Sequence, residues 1–253
     1  IEQIKKNLGQ DLAILGHHYQ SDAIIQYTDI RGDSLELARQ IPDLTAKYIV
    51  FCGVHFMAES AAILAQKDQM VFLPAPDASC VMAETAPADL VEKILLKLRK
   101  QRKEIIPLAY VNSSAEVKAI CGKFNGSVCT SANASKMLAW ALDQGDGVLF
   151  LPDKNLGQNT AKILGLHPDE VVTVDIRSQG RRANYEQIKN KKLFLWPVVC
   201  AVHFRFKPEQ LMRIRKTHPE ARIIVHPECD PDVVALADGS GSTSFIIKYV
   251  REA

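Results

Sequence analysis

Trp196-Pro197-Val198-Val199-Cys200-Ala201-Val202-His203-Phe204-Arg205-Phe206 closes an apolar run that starts at Leu193 and is broken only by Pro197. The run reads as a buried strand end with a lone thiol where it stops, and a helical pattern opens near Pro208. Ligands of α/β proteins bind outside the carboxyl ends of strands, so this reading places Cys200 facing a site. Upstream, Val71-Phe72-Leu73-Pro74 runs through a short loop into Cys80-Val81-Met82-Ala83-Glu84 and then a helix. The order strand, thiol, helix recurs, and it predicts repeated units that aim cysteines at one shared point.

Outward from these two stretches the same order fills the chain. Asp11 to Gly16 reads as a strand emptying into His17-His18-Tyr19-Gln20, with Ser21-Asp22 as a cap for the next helix. Gly32-Asp33-Ser34 opens a helix through Leu35, Leu37 and Ala38. Strands follow at 48–53 and 70–73, then at 105–111, 127–129, 147–151 and 171–174, and a third round begins at Leu193 and continues through Ile223-Ile224-Val225. Strands alternating with helical stretches of ten to fifteen residues are the signature of parallel βαβ structure. Val50 to Leu64 resembles Leu149 to Leu164, and no third version of that segment is present. Repetition on this scale predicts a pseudo-symmetric α/β assembly. The expected units are residues 1–82, 83–172 and 173–253, the last incomplete. The opening on Ile1 and the uncapped amphipathic stretch Phe245–Ala253 carry the same expectation of a missing C-terminal portion.

Composition excludes several classes of function. The chain has 253 residues, 47% hydrophobic and 24% charged, which suits a globular protein with a substantial core. A formal net charge of +2 is too near neutral to argue for nucleic acid or a membrane surface. No apolar run reaches the ~20 residues of a spanning helix, and no signal-peptide pattern opens the chain, so the expected compartment is the cytoplasm. Six cysteines (Cys52, Cys80, Cys121, Cys129, Cys200, Cys229) lie singly, without a CxxC pair. Disulfides are not expected there, and most such thiols are small buried hydrophobes.

The expected strand ends collect His17, Tyr19, Tyr110, Asn112, Cys200, His203, His226 and Glu228, and the helix starts add Ser34, Thr130, Ser131, Ser242 and Thr243. Hydroxyls beside free N–H groups at helix starts favour phosphate or carboxylate. Each Ser or Thr taken singly reads equally as a plain N-cap, Tyr110 as a core residue with its hydroxyl satisfied, and His226-Pro227-Glu228 as a loop with a surface ion pair. Repetition across the units favours the chemical reading.

In these motifs the sequence resembles the quinolinate synthase family. The matching segments are Gly16-His17-His18-Tyr19-Gln20, Gly32-Asp33-Ser34-Leu35, Phe51 to Glu59, Tyr110 to Ser114, Val128 to Ala134, Leu151-Pro152-Asp153-Lys154-Asn155-Leu156-Gly157, Cys200-Ala201-Val202-His203, His226-Pro227-Glu228 and Gly241-Ser242-Thr243-Ser244, in the family's order. The resemblance implies three pseudo-symmetric three-layer αβα domains with short parallel sheets around one central active site. It implies a [4Fe-4S] cluster held by three cysteines, two of them matched by Cys80 and Cys200. The third family cysteine has no counterpart in this chain, and Cys229 does not take its place. Thiolates suit iron–sulfur clusters, and three of them on a four-iron cube leave one iron open as a Lewis acid.

The implied reaction condenses iminoaspartate with dihydroxyacetone phosphate to quinolinate, with loss of phosphate and water, in the de novo route to NAD. An aspartate oxidase or dehydrogenase is the implied functional partner. By resemblance, His17 and Ser34 hold carboxylates of the iminoaspartate part, and Tyr19 assists proton transfer and gates the site. Tyr110 and Asn112 position the triose-derived part, while Ser131, Ser242 and Thr243 bind phosphate or carboxylate oxygens. His226 and Glu228 do acid–base work, Glu228 as the base. Ser79 stands before Cys80 where the family commonly has Gly, which removes no ligand. The alternative from another class is a cluster-free α/β protein that only binds a dicarboxylate or phosphate. A periplasmic-type sugar or phosphate binder fits less well, given the ordered motif set.

Overall fold

Short apolar segments followed by helix starts build three parallel sheets in the computed structural model, which describes residues 1–101, 104–180 and 190–253. The strands are β1 (Leu12–His17), β2 (Ile30–Gly32), β3 (Tyr48–Cys52), β4 (Met70–Phe72), β5 (Ile105–Tyr110), β6 (Ser127–Cys129), β7 (Gly147–Leu151), β8 (Val171–Thr173), β9 (Leu193–Leu195), β10 (Ile224–Val225) and β11 (Gly239–Ser240). The architecture is α/β, with sheets of four, five and two strands in αβα layers. The chain divides into two compact units, Ile1–Cys80 and Val81–Ala253.

In the first unit the strand order is β2-β1-β3-β4, all parallel. β1 reads Leu-Ala-Ile-Leu-Gly-His and is buried from Ala13 onward, the continuous apolar run of a strand covered on both faces. Helix Ser34–Gln40 is started by a capping box: Asp33 accepts from the Glu36 N–H (2.9 Å), and the Glu36 carboxylate accepts from the Asp33 N–H (3.3 Å). Ser34, the helix's first residue, therefore sits two positions past Gly32, the strand residue paired with His17.

In the second unit the order is β6-β5-β7-β9-β8, again all parallel. β5 and β7 are buried at every position. Val91, Ile94, Leu95 and Leu98 of helix Ala88–Gln101 pack with Ile105, Leu149, Leu151, Phe194 and Trp196 into one core. Trp196 is fully buried, and its Nε1–H donates to the Thr85 carbonyl (3.1 Å). A smaller core of Leu211, Cys229 and Val233 lies by β10 and β11, with Val225 packed against it.

The two larger sheets share a plan. β1 lies between β2 and β3, with β4 beyond β3; β5 lies between β6 and β7, with β9 beyond β7. The chain order reverses at β1 and at β5, and such switch points are where open α/β sheets bind ligands. His17 ends β1 and Tyr110 ends β5. β4 leads toward Cys80 and β9 toward Cys200, so the two thiols follow strands holding equivalent places in their sheets.

Some local expectations differ. The strand expected from Leu193 to Val199 stops at Leu195, because Pro197 has no N–H to continue a ladder; Val198 makes only an isolated bridge to Asp153. The strand at Leu193, read from sequence as the start of a third round, pairs with β7 and β8 in the five-stranded sheet. Residues 172 and 173, where a boundary is expected, are both inside β8. Ser21 sits at the N-cap of helix Asp22–Ile25 without a side-chain bond. Asn133 caps no helical N–H either; its Oδ1 accepts from the Thr130 N–H (2.7 Å).

The second unit's core carries a stability prediction. Leu149→Ala, at a fully buried central-strand position, is expected to cost about 2–5 kcal/mol, and Trp196→Phe about 1 kcal/mol through the lost Thr85 bond. Urea midpoints followed by Trp fluorescence and far-UV dichroism, with Leu149→Ala the lower of the two, check both values.

Candidate active site

In the second unit the site grows from one helix start. β7 ends at Leu151, and after Pro152 the Asp153 carboxylate caps helix Lys154–Ile163, accepting from the Leu156 N–H (2.6 Å). Its other oxygen accepts from the Cys200 N–H (3.0 Å), 47 residues on in sequence. The loop past β9 is pinned further by Lys154 N–H to Val198 O (2.7 Å). Cys200 is thus fixed by its backbone while its thiol stays half-buried.

The same helix holds the other half of the site. Asn155 donates to the Glu228 carbonyl (3.3 Å), and Asn159 donates to the carbonyls of Pro227 (2.8 Å) and Cys229 (2.9 Å). Residues four apart share one helix face, so the pair grips the segment His226-Pro227-Glu228-Cys229 along its backbone. The surface ion pair offered as the plain reading of this segment is overturned. His226 and Glu228 are buried, and the ion pair they form is internal.

Glu228 Oε2 lies 2.9 Å from His203 Nδ1 and 3.2 Å from His226 Nδ1. The two imidazoles stack, with centroids 4.7 Å apart and planes at 18°. His226 Nδ1 also accepts from the Glu228 N–H (3.3 Å). The short His203–Glu228 contact is an ion-pair approach without hydrogen-bond alignment: among the described residues, His203 Nδ1 and Glu228 Oε1 are buried polar atoms with no hydrogen-bond partner. Cys200 Sγ, a His203 ring nitrogen and a Glu228 oxygen all lie within 4.8 Å of one another.

Charge in this cluster is unevenly shared. Burial raises the Glu228 carboxyl, but His203 and then His226 outweigh it and hold the group below its ordinary range. Burial likewise opposes charge on His203, but Cys200 and Glu228 outweigh it and raise the imidazole. Asp153 is pushed up, by burial first and the Glu228 charge second. Tyr110, buried at the end of β5, is raised well above its usual value by burial and then by the charges of Glu228 and Asp153. At neutral pH the arrangement therefore offers an ionised carboxylate, a cationic imidazole and a neutral phenol.

Other predicted residues of this unit sit at loop and helix starts. Asn112 and Ser131 are half-buried after β5 and β6. Ser242 is buried and caps the final helix Thr243–Glu252 through the Phe245 N–H (3.3 Å), with Thr243 the first helical residue. The Ser242 bond is a local one. The thiols of Cys121 and Cys229 are pushed up by burial to about 12 and about 11, and Cys129 higher still; neutral buried thiols of this kind are inert packing groups.

The first unit carries its own cluster. His17, at the end of β1, is buried, and burial and then His18 lower its imidazole to about 4. It is neutral at pH 7 and receives the Tyr19 N–H on Nδ1 (3.4 Å), its ring 4.0 Å from the Tyr19 ring. The Tyr19 hydroxyl donates toward Met57 Sδ (3.6 Å); burial and then Cys80 raise this phenol to about 12. Ser34 is buried, and Cys80 is half-buried at the end of the unit.

Sequence reasoning attached no role to Asp153, Asn155 or Asn159, although all belong to or adjoin the quoted Leu151–Gly157 motif. Their signal was an i, i+4 amide pair on a capped helix. His203 stood among the strand-end residues without a role, and its position three after Cys200 was the signal.

Comparisons with known proteins agree with this picture. A family model described as Quinolinate synthetase A protein matches residues 1–253. The chain is 47% identical over 252 residues to the quinolinate synthase of Geobacillus thermodenitrificans, covering 99% of this chain and 68% of that protein. It is 43% identical over 256 residues to the quinolinate synthase of Acidobacterium capsulatum (100% of this chain, 69% of that one). A third, from Halalkalibacterium halodurans, is 45% identical over 255 residues (100% and 69%). No described helix is long and apolar enough to cross a membrane.

Two measurements check this geometry. His17 has a folded value of about 4, below the free 6.5, so its neutral form stabilises the fold fully above pH 6.5. That contribution, on the order of 3 kcal/mol, is lost as pH falls from 6.5 to 4. His17→Gln is expected to flatten the urea-midpoint-against-pH curve in that window. Asn159→Ala leaves two buried carbonyls unpaired and is expected to cost about 2–4 kcal/mol, read by urea unfolding, with faster amide exchange at residues 226–229.

Proposed function

The chain belongs to the NadA family of quinolinate synthetase A proteins, and on that premise we propose that it carries out the quinolinate synthase reaction. In this reading iminoaspartate and dihydroxyacetone phosphate condense to quinolinate, releasing phosphate and water, in the cytoplasmic route to NAD. The enzyme is a transferase, and an aspartate oxidase or dehydrogenase supplies the iminoaspartate. The observation that carries the proposal is the buried Glu228 carboxylate, held between His203 and His226 beside Cys200.

The donor chemistry fits a metal centre. Cys80 and Cys200 are half-buried rather than sealed in a core, and both follow equivalent strands. We assign them as two of three thiolate ligands to a [4Fe-4S] cluster. When bound, the cluster supplies an open iron that polarises a substrate oxygen or nitrogen. Three αβα units, at residues 1–82, 83–172 and 173–253, remain part of this proposal, and the separate small core of Leu211, Cys229 and Val233 supports a third unit.

The chain's own residues supply the proton handling and binding. Glu228, ionised at neutral pH, is the base for isomerisation and dehydration, and His226 orients it and passes protons. His203, cationic, balances the carboxylate and faces anionic substrate. Neutral Tyr110 donates a hydrogen bond rather than repelling an anion, and with Asn112 it positions the triose part. His17, uncharged, and Ser34 bind carboxylate of the iminoaspartate part by hydrogen bonds, and Tyr19 closes over it as a proton relay. Ser131, Ser242 and Thr243 offer hydroxyls to phosphate or carboxylate oxygens.

Anaerobic reconstitution with iron and sulfide, followed by iron content, visible absorbance and quinolinate formation in the intact enzyme, tests the assignment. Cys80→Ala and Cys200→Ala are each expected to lose cluster and turnover together. A variant keeping its full iron content would remove that residue from the ligand set, and a colourless, inactive intact enzyme would leave only dicarboxylate or phosphate binding. Glu228→Gln is expected to keep iron and lower kcat by roughly 10²-fold or more.

A further inference from the structure

We propose that Cys200, His203 and Glu228 form a site for one divalent transition ion, zinc by its chemistry, with a fourth position open to solvent or ligand. The three donor atoms already lie within 4.8 Å of one another. Ligands bonded at 2.0–2.3 Å around a tetrahedral ion stand roughly 3.3–3.8 Å apart, so small side-chain rotations complete the geometry. On binding, the ion displaces the proton that His203 carries in the metal-free state and leaves Cys200 as thiolate, both protons passing to solvent. Thiolate, neutral imidazole and carboxylate are the borderline donor set that zinc prefers over harder cations.

A second observation points the same way. Glu228 is 3% exposed, and its Oε1 has no hydrogen-bond partner; His203 Nδ1 is buried and has only the unaligned approach of Glu228 Oε2 at 2.9 Å. Buried polar atoms are nearly always satisfied, and an ion among these donors satisfies both. The surroundings are built as metal ligands usually require: Asp153 holds the Cys200 N–H, Asn155 holds the Glu228 carbonyl, and His226 contacts the Glu228 carboxylate. With three protein ligands the site has the open coordination of a reactive zinc centre rather than the closed one of a structural zinc.

This inference lies beyond the cluster assignment and does not rest on it, because every donor belongs to the second unit and Cys80 takes no part. The two states compete for one sulfur. A chain whose Cys200 thiolate holds zinc lacks that ligand for iron and sulfide, so zinc loading is expected to block cluster assembly.

Cobalt(II) is the probe, since it takes zinc sites and reports thiolate ligation by absorbance. The metal-free chain is expected to bind one cobalt with a sulfur-to-cobalt charge-transfer band in the near ultraviolet and tetrahedral bands in the visible, both bleached by zinc. Cys200→Ser is expected to abolish the charge-transfer band. His203→Ala and Glu228→Gln are expected to weaken binding at least about tenfold, and Cys80→Ala to leave it unchanged. A wild-type spectrum without the thiolate band overturns the proposal, as does a band that survives Cys200→Ser or vanishes with Cys80→Ala. The unaltered chain gives an independent check: zinc is expected to slow iodoacetamide alkylation of Cys200 at least about tenfold, read by peptide mass, and an unchanged rate overturns the site. Cobalt binding intact in Cys80→Ala, where the cluster is lost, separates failure of this site from failure of the cluster assignment.

Discussion

The carboxylate of Asp153 joins parts of the second unit that sequence keeps far apart. One oxygen starts the helix that follows β7, and the other holds the backbone of Cys200 after β9. The residue is fully buried, so both bonds are made where water cannot replace them. Remove the carboxylate and the helix loses its cap while the thiol loop loses its anchor. Because Asn155 and Asn159 hang from the same helix and grip the 226–229 segment, the position of Glu228 inherits that constraint as well.

Electrostatics divides labour between the two buried carboxylates. Two anions cannot both be ionised cheaply in one dry site. Glu228 has two histidines and keeps its charge; Asp153 is raised by burial first and the Glu228 charge second, which its two backbone N–H donors only partly offset. The group with imidazole partners thereby keeps its charge, and the group with amide partners holds the scaffold. In the first unit the opposite device appears. His17 has burial and a neighbouring His18 against its charge, so it stays neutral and can offer direction rather than attraction.

What was legible in the sequence follows from range. Strands β1, β3, β5 and β7 announce themselves as apolar runs, and the caps at Asp33, Ser114 and Ser242 are local signals read within four residues. Cys200, His226 and Glu228 were legible because each follows an apolar run. β2 and β11 were not, being three and two residues long, with too little pattern to rise above loop. The roles of Asp153, Asn155 and Asn159 were hidden for another reason: their partners are backbone atoms 47 to 73 residues away, and a backbone carbonyl has no sequence signature. The membership of β9 in the five-stranded sheet was hidden likewise, since a run of Leu-Phe-Leu pairs equally well with any apolar neighbour.

The count of thiols, finally, separates what one unit can hold from what several must share. Cys121, Cys129 and Cys229 are packed and kept neutral by burial, which leaves the second unit with Cys200 as its half-buried thiol among the described residues. One sulfur cannot hold a four-iron cube, whose ligands are thiolates. It can hold a single ion if nitrogen and oxygen complete the set, and His203 and Glu228 stand ready to do so. The equivalent strand places of Cys80 and Cys200 then have a physical meaning. Each larger sheet sets one half-buried thiol past the strand in the same place, and a single-ion site at Cys200 needs only the second unit to be folded.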